Sequence, residues 1–239
     1  MICLTGAVGR RPTRLAGMRT QRIGQNNSGS CPRRVPNPMA SILLIHSDAI
    51  ASDCICSAIA ASESETSLVV AGAVRTLAEG REFMRHRVPD LLAVDLRVSG
   101  GPFAPWFHDV CCHRPRPRIV VIASAVHDPS LLNALRHGAD GYAIAADGPL
   151  ALVDVLEQVL GGRSMMAPEI ARRLQMHFAQ QEAAGRTPID DEDRQLLRWV
   201  STGYGLDDIA QGLHTTPGRL GVRVRRLYAK LELDDEPAS

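Results

Sequence analysis

The sequence predicts a doubly wound α/β domain, joined by a helical linker to a small all-helical unit of helix-turn-helix size. Three observations carry that expectation. Between residues 42 and 162, short β-branched apolar runs alternate with helical segments, the pattern of a parallel sheet buried on both faces. A Gly-Arg-Thr-Pro break follows at 185–188. Beyond it, 189–233 shows only helical periodicity.

The elements follow in order. Residues 42–45 read as a strand, 49–61 as a helix, 67–74 as a strand and 77–84 as a helix. The third strand, 91–94, runs straight to a lone carboxylate, Asp95, and a Ser-Gly-Gly turn follows at 99–101. The carboxyl ends of strands are where ligands and chemistry sit in such a sheet. An aspartate there fits a nucleophile that accepts phosphate, and equally a helix cap or a loop carboxylate bonded to amides. Residues 119–122 and 142–144 supply two more strands. Asp128-Pro129 gives an N-cap and N1 proline, and Gly138 ends that helix. Asp147 is placed to cap the next helix, whose Leu152, Val153, Leu156, Val159 and Leu160 form one face before Gly161-Gly162 stops it. Five β/α units fit 39–162, the first folded domain.

The linker, 163–186, holds a helix over 168–184 with Ile170, Leu174 and Phe178 on one side. In 187–239 the expected core is Leu196, Leu197 and Val200, then Ile209, Ala210 and Leu213, then Leu220, Val224, Leu227 and Leu231.

At 239 residues with 45% hydrophobic content, the chain has the make-up of a soluble, cytoplasmic globular protein, and no apolar run approaches a membrane span. The net charge of +1 hides an uneven spread: +7 in 1–38, −3 in 39–186 and −3 in 187–239. The acid-free, arginine-rich 1–38 has the composition of an import sequence or a nucleic-acid arm. It lacks periodicity, and the reading adopted is a disordered extension or the product of an over-long gene model. The cysteines at 3, 31, 54, 56, 111 and 112 lack zinc spacing and read as free thiols in a reducing cytosol. No phosphate-cradling glycine loop, metal cluster or nucleophile triad is present, so no enzymatic activity is expected.

Two sets of residues resemble a known family. PDLLAVDLRVSGG and LRHGADGY look like the flavodoxin-like receiver domain of bacterial response regulators. The segment 189–233, with Ile189, Leu197, Gly203, Ile209-Ala210, Leu213, Thr216 and Lys230-Leu231 as landmarks, resembles without a gap the LuxR-type helix-turn-helix of the NarL/FixJ subfamily. The resemblance implies a two-component transcription regulator that is cytoplasmic, dimeric and DNA-binding, with Asp95 at the phosphoacceptor position. Receivers hold magnesium there with two acids after the first strand, and complete the site with a Ser/Thr after strand four and a lysine after strand five.

The sequence departs from that pattern. The acid positions read His46-Ser47, with an acid only at Asp48; Ala123 stands at the Ser/Thr position and Ala145 at the lysine. The only lysine of the chain is Lys230, in the other domain. A one-residue slip that recruits Asp48 or Ser124 turns the side chain to the opposite face. The expectation is an atypical receiver with a degraded magnesium site and no cofactor, taking a protein or a small molecule as its input.

At the other end, Thr216-Pro217 opens a helix with five basic residues and no acid between Arg219 and Lys230. The resemblance makes it the helix that reads the major groove, with Thr216, Arg219, Val222, Arg223, Arg225, Arg226 and Lys230 as candidate DNA contacts. By family position Gly221, Val222 and Arg225 face bases or phosphate, with Arg225 assigned chiefly to phosphate. Two alternatives stand beside this regulator: a receiver-fold interaction module with decayed DNA binding, and an orthodox phosphorylated regulator.

Overall fold

The structure, a computed structural model, describes residues 39–62, 67–99, 103–185 and 189–231. The leader, Cys3, Cys31, the glycine turn at 100–101 and the Gly-Arg-Thr-Pro break from residue 186 on lie outside them.

Five strands, β1 (Met39–Ile45), β2 (Ser67–Val74), β3 (Leu91–Asp95), β4 (Arg118–Ala123) and β5 (Gly141–Ile144), form a parallel sheet in the order β2-β1-β3-β4-β5. Helices α1 (Ala49–Ala61), α2 (Leu77–His86), α3 (Phe103–Cys112), α4 (Pro129–Arg136) and α5 (Gly148–Leu160) connect or follow them. This is the doubly wound arrangement expected from the alternation of strands and helices. The sequence pattern does not single out α3. Its first turn carries Pro105, but Trp106, Phe107 and Val110 are fully buried and anchor it to the sheet.

Period-two alternation sorts the strand residues. Ile42, Leu44, Leu91, Ala93, Val120 and Ile122 face a core with α1 and α5. Leu43, Ile45, Leu92, Val94, Ile119 and Val121 face α2, α3 and α4. That second core continues through Met166 and Ile170 into the helical part, so receiver and helical unit share apolar contact.

The helical part comprises α6 (Pro168–Ala183), α7 (Asp191–Ser201), α8 (Leu206–Gly212) and α9 (Pro217–Ala229). Leu196, Leu197, Val200, Ile209, Ala210, Leu220, Val224, Leu227 and Leu231 are buried as the periodicity requires. Leu213 departs from that reading. It is the C-cap residue of α8, where the chain turns away, and it stays 37% exposed.

Caps behave as the sequence suggests in most places. Asp128 accepts from Ser130 N–H and Thr216 from Arg219 N–H. Asp147 is an exception: its backbone is already helical and closes a 3-10 turn, so its side chain caps nothing. The caps that end α4 and α5 pass through Gly138 (φ +109°) and Gly162 (φ +78°), a left-handed geometry that favours glycine. Among the described residues no helix is long and apolar enough to cross a membrane.

Candidate functional site

The carboxyl edge of the sheet gathers the receiver-type positions. Ile45 pairs with Val94, Asp95 with Ile122, and Ala123 with Ile144. His46, Asp95, Ala123 and Ala145 therefore end or follow β1, β3, β4 and β5 side by side.

Asp95 is buried and fully engaged. One oxygen, Oδ1, accepts from Arg97 N–H at 2.9 Å and from Arg97 Nε at 3.2 Å. The other, Oδ2, accepts from Arg97 Nη2 at 3.1 Å and lies 3.3 Å from His46 Nε2. His46 Nδ1 accepts the Asp48 N–H at 3.1 Å. The Arg97 guanidinium pairs with the Asp95 carboxylate. The bonds to Asp95 also raise the pKa of Arg97 above its ordinary value.

Asp48 is committed elsewhere. Its Oδ1 caps α1, accepting from Ile50 N–H at 2.8 Å and Ala51 N–H at 3.2 Å, and the amide from Ala51 leads in lowering its pKa. Ser47, Ser124 and Ala145 are exposed, and Ala123 is buried. Among the described residues no three His, Cys, Asp or Glu side chains group as metal ligands. The groups nearest Asp95 are the Arg97 guanidinium, which donates to it, and the His46 imidazole, neither of them an oxygen ligand of the kind a hard divalent cation takes.

Helix α9 presents four stripes. Leu220, Val224 and Leu227 are buried in the helical core. Flanking them, Arg223 is held by three acids from the start of α7: Nε to Asp193 at 2.7 Å, Nη1 to Glu192 at 2.5 Å and Nη2 to Asp190 at 2.9 Å. Lys230 joins the same cluster at 2.7 Å from Asp193. On the opposite flank Gly221, Arg225 and Tyr228 turn toward the receiver and linker. Arg225 Nε lies 3.8 Å from Asp140 Oδ1, and Tyr228 donates to Met165 O. Asp140 is completely buried; it also accepts from Ile119 N–H and pairs with Arg116 and Arg118. The fourth stripe, Arg219, Val222 and Arg226, is exposed, as is Thr216 at the cap.

Of the candidate DNA contacts, Arg223 and Lys230 are paired with acids of α7 and Arg225 faces Asp140. The sequence reading misses Arg97. The signal was present in the Asp-x-Arg spacing, which lets a guanidinium fold back onto a carboxylate two residues earlier.

No family model matches the chain. It is 26% identical over 174 residues to the probable transcriptional regulatory protein NarL of Mycobacterium tuberculosis, covering 72% of this chain and 80% of the relative. Over 170 residues it is 25% identical to the nitrate/nitrite response regulator protein NarL of Escherichia coli, covering 70% and 78%. Both are response regulators of the NarL type, which this chain resembles over most of its length. Among solved structures, RcsB of Salmonella enterica serovar Typhimurium bound to promoter P1flhDC aligns with a TM-score of 0.50 at 16% identity, over 82% of this chain and 94% of RcsB. That likeness shows a shared fold, a receiver followed by a helical domain. A second RcsB structure, from Salmonella typhimurium, aligns at 15% identity and a TM-score of 0.50, over 83% of this chain and 95% of that one.

Proposed function

We propose that the chain is a DNA-binding transcriptional regulator, not an enzyme, whose receiver acts without phosphorylation of Asp95. The observation that carries the reading is the open stripe of α9. Arg219, Val222 and Arg226 lie exposed on a Thr-capped helix that carries no acid. Arginine forks suit guanine edges and phosphate alike. DNA is the ligand named for RcsB in its promoter complex, and DNA-bound RcsB dimers are described as well. A second copy of this chain is accordingly the proposed partner on DNA, in the cytoplasm.

Independence from phosphorylation is supported by the edge geometry. A carboxylate attacks phosphorus through a free lone pair, with cations nearby to hold the transferring oxygens. Asp95 has its oxygens engaged by Arg97 and His46, Asp48 is turned into a helix cap, and Ala145 offers no charge. The input at the receiver is then a binding event, with a protein or a small molecule as the ligand.

Two measurements test this. Titration of the purified chain into labelled duplex DNA, followed by anisotropy, should show binding that Arg219→Ala and Arg226→Ala weaken without changing the melting curve. Unaltered affinity in both variants would move the interaction-module reading to first place. Intact-mass analysis after incubation with acetyl phosphate and magnesium should show the unmodified mass. A near-complete phosphate adduct, absent in Asp95→Asn, would restore the orthodox reading.

A further inference from the structure

Helix α3 is fixed to the sheet on one side and open on the other. Trp106, Phe107 and Val110 are fully buried in the receiver core. His108 and Cys112 lie on the exposed side of the same helix. They stand four positions apart, so one turn brings their side chains onto a shared face. Cys112 Sγ lies 4.0 Å from His108 Nε2.

A thiol beside an imidazole is a ligand pair for a borderline-soft divalent cation such as zinc. Bonds of about 2.3 Å to sulfur and about 2.0–2.1 Å to nitrogen, at a tetrahedral angle, put the two donor atoms about 3.5–3.6 Å apart. The observed spacing exceeds that by about half an ångström. Small rotations of two exposed side chains close such a gap while the anchored helix stays in place. Cysteine spacing alone carries no zinc motif. The pair emerges only when a histidine one helical turn earlier is counted with Cys112.

The neighbouring side chains do not complete a site. Asp109 is turned to Arg81 Nε at 3.4 Å. Cys111 Sγ points to the carbonyl of His137 at 4.0 Å, away from Cys112. Among the described residues no third His, Cys, Asp or Glu joins the pair. A structural zinc centre is four-coordinate, so two ligand positions are open toward solvent. The same pair from a second copy, related by a two-fold axis through the metal, supplies one more sulfur and one more nitrogen.

We infer that His108 and Cys112 are half of a binding site for zinc or a cation of similar softness, completed as Cys2His2 by the same residues of a second copy of this chain. Zinc has no redox chemistry of its own, and the thiol gives up its proton as it binds. The link between copies therefore forms and releases with metal supply. It does not rest on the DNA reading of α9, because both ligands belong to the receiver.

Cobalt(II), a spectroscopic substitute for zinc, tests the site on the full chain with the thiols kept reduced by a phosphine. Titration should produce a thiolate-to-cobalt charge-transfer band and the strong visible bands of tetrahedral cobalt, saturating at one metal per two chains. Zinc should displace the cobalt. Sedimentation should show a rise in mass with either metal and its reversal by a chelator. Cys112→Ser should abolish the charge-transfer band, and His108→Ala should abolish the metal-dependent rise in mass. Cys111→Ser on the same helix, Cys54→Ser on α1 and the Cys3→Ser/Cys31→Ser double variant should behave as the parent does. A missing charge-transfer band, or one that survives Cys112→Ser, would overturn the inference. Saturation at one metal per chain with unchanged mass would do the same, as would a metal-dependent rise in mass that persists in His108→Ala.

Discussion

Arg223→Ala removes the cation that fastens α9 to α7. Of its three partners, Asp193 matters most, because its side chain is 5% exposed while those of Asp190 and Glu192 are 59% and 61% exposed. Stripping one partner from a buried ion pair costs about 3–5 kcal/mol. Asp193 keeps Lys230 at 2.7 Å after the change, and Arg223 is itself 27% exposed. Half of that cost, about 2 kcal/mol, is the appropriate share. The two exposed acids add about 0–1 kcal/mol together. A total of about 2–3 kcal/mol corresponds to a melting temperature lower by about 5–10 °C for a chain of this size. Far-UV circular dichroism melting reads it directly, with Arg219→Ala as the control, since that side chain is exposed and should shift the midpoint by about 1–2 °C at most. Should Arg223→Ala melt together with Arg219→Ala, the acids of α7 do not hold α9 and the argument from burial fails. Loss of DNA binding in Arg223→Ala alone is accordingly no evidence of a base contact, because the helix itself is loosened.

Gly141→Ala places a Cβ 2.6 Å from Val159 Cγ2, on a β-branched side chain that cannot rotate away cheaply; a loss of about 1–3 kcal/mol is expected in urea unfolding, and an unchanged midpoint would contradict the packing. Glu182 is held below the usual carboxylate range chiefly by its bond to Arg194. A lowered folded pKa contributes stability that is complete above the unfolded value of about 4.3 and is lost as pH falls through the folded value. Glu182→Gln should therefore melt below the parent at neutral pH, with the gap closing under about pH 4; a gap that persists there would refute the assignment.

The strands and most caps were legible because they are written locally. The short apolar runs at 42–45 and 91–94 need only neighbouring residues, and so do Asp128-Pro129 and Thr216-Pro217. The helix α3 was harder, since Pro105 and an apolar run starting beside a glycine turn resemble a loop. The position of Asp95 at a strand end could be read, and so could the substitutions at His46, Ala123 and Ala145. The closure of Arg97 was written only in the Asp-x-Arg spacing, since strand periodicity carries no information about where a turn residue aims its side chain. The grip of α7 on Arg223 spans 30 to 33 positions, and the approach of Arg225 to Asp140 joins two domains. Neither leaves a trace in composition, which is why five basic residues on one helix looked equally available to DNA.

That sequestration has a consequence for how a DNA complex would respond to salt. Each phosphate neutralised by a protein cation releases condensed counterions, and the logarithm of affinity falls by about 0.9 per contact for each tenfold rise in salt. Two open arginines per protomer, Arg219 and Arg226, make four in a two-protomer complex and a slope of about −3 to −4. All five basic residues of the helix would give about −9. With so shallow a slope, non-specific attraction to bulk DNA is weak, and discrimination falls to groups that read base edges. Val222 is the apolar side chain on the open stripe, 40% exposed between the two arginines. Contact of such a side chain with a thymine methyl group is one of the few ways a neutral residue distinguishes base pairs in the major groove. On this helix, selectivity for a T-containing step would rest more on Val222 than on any charge.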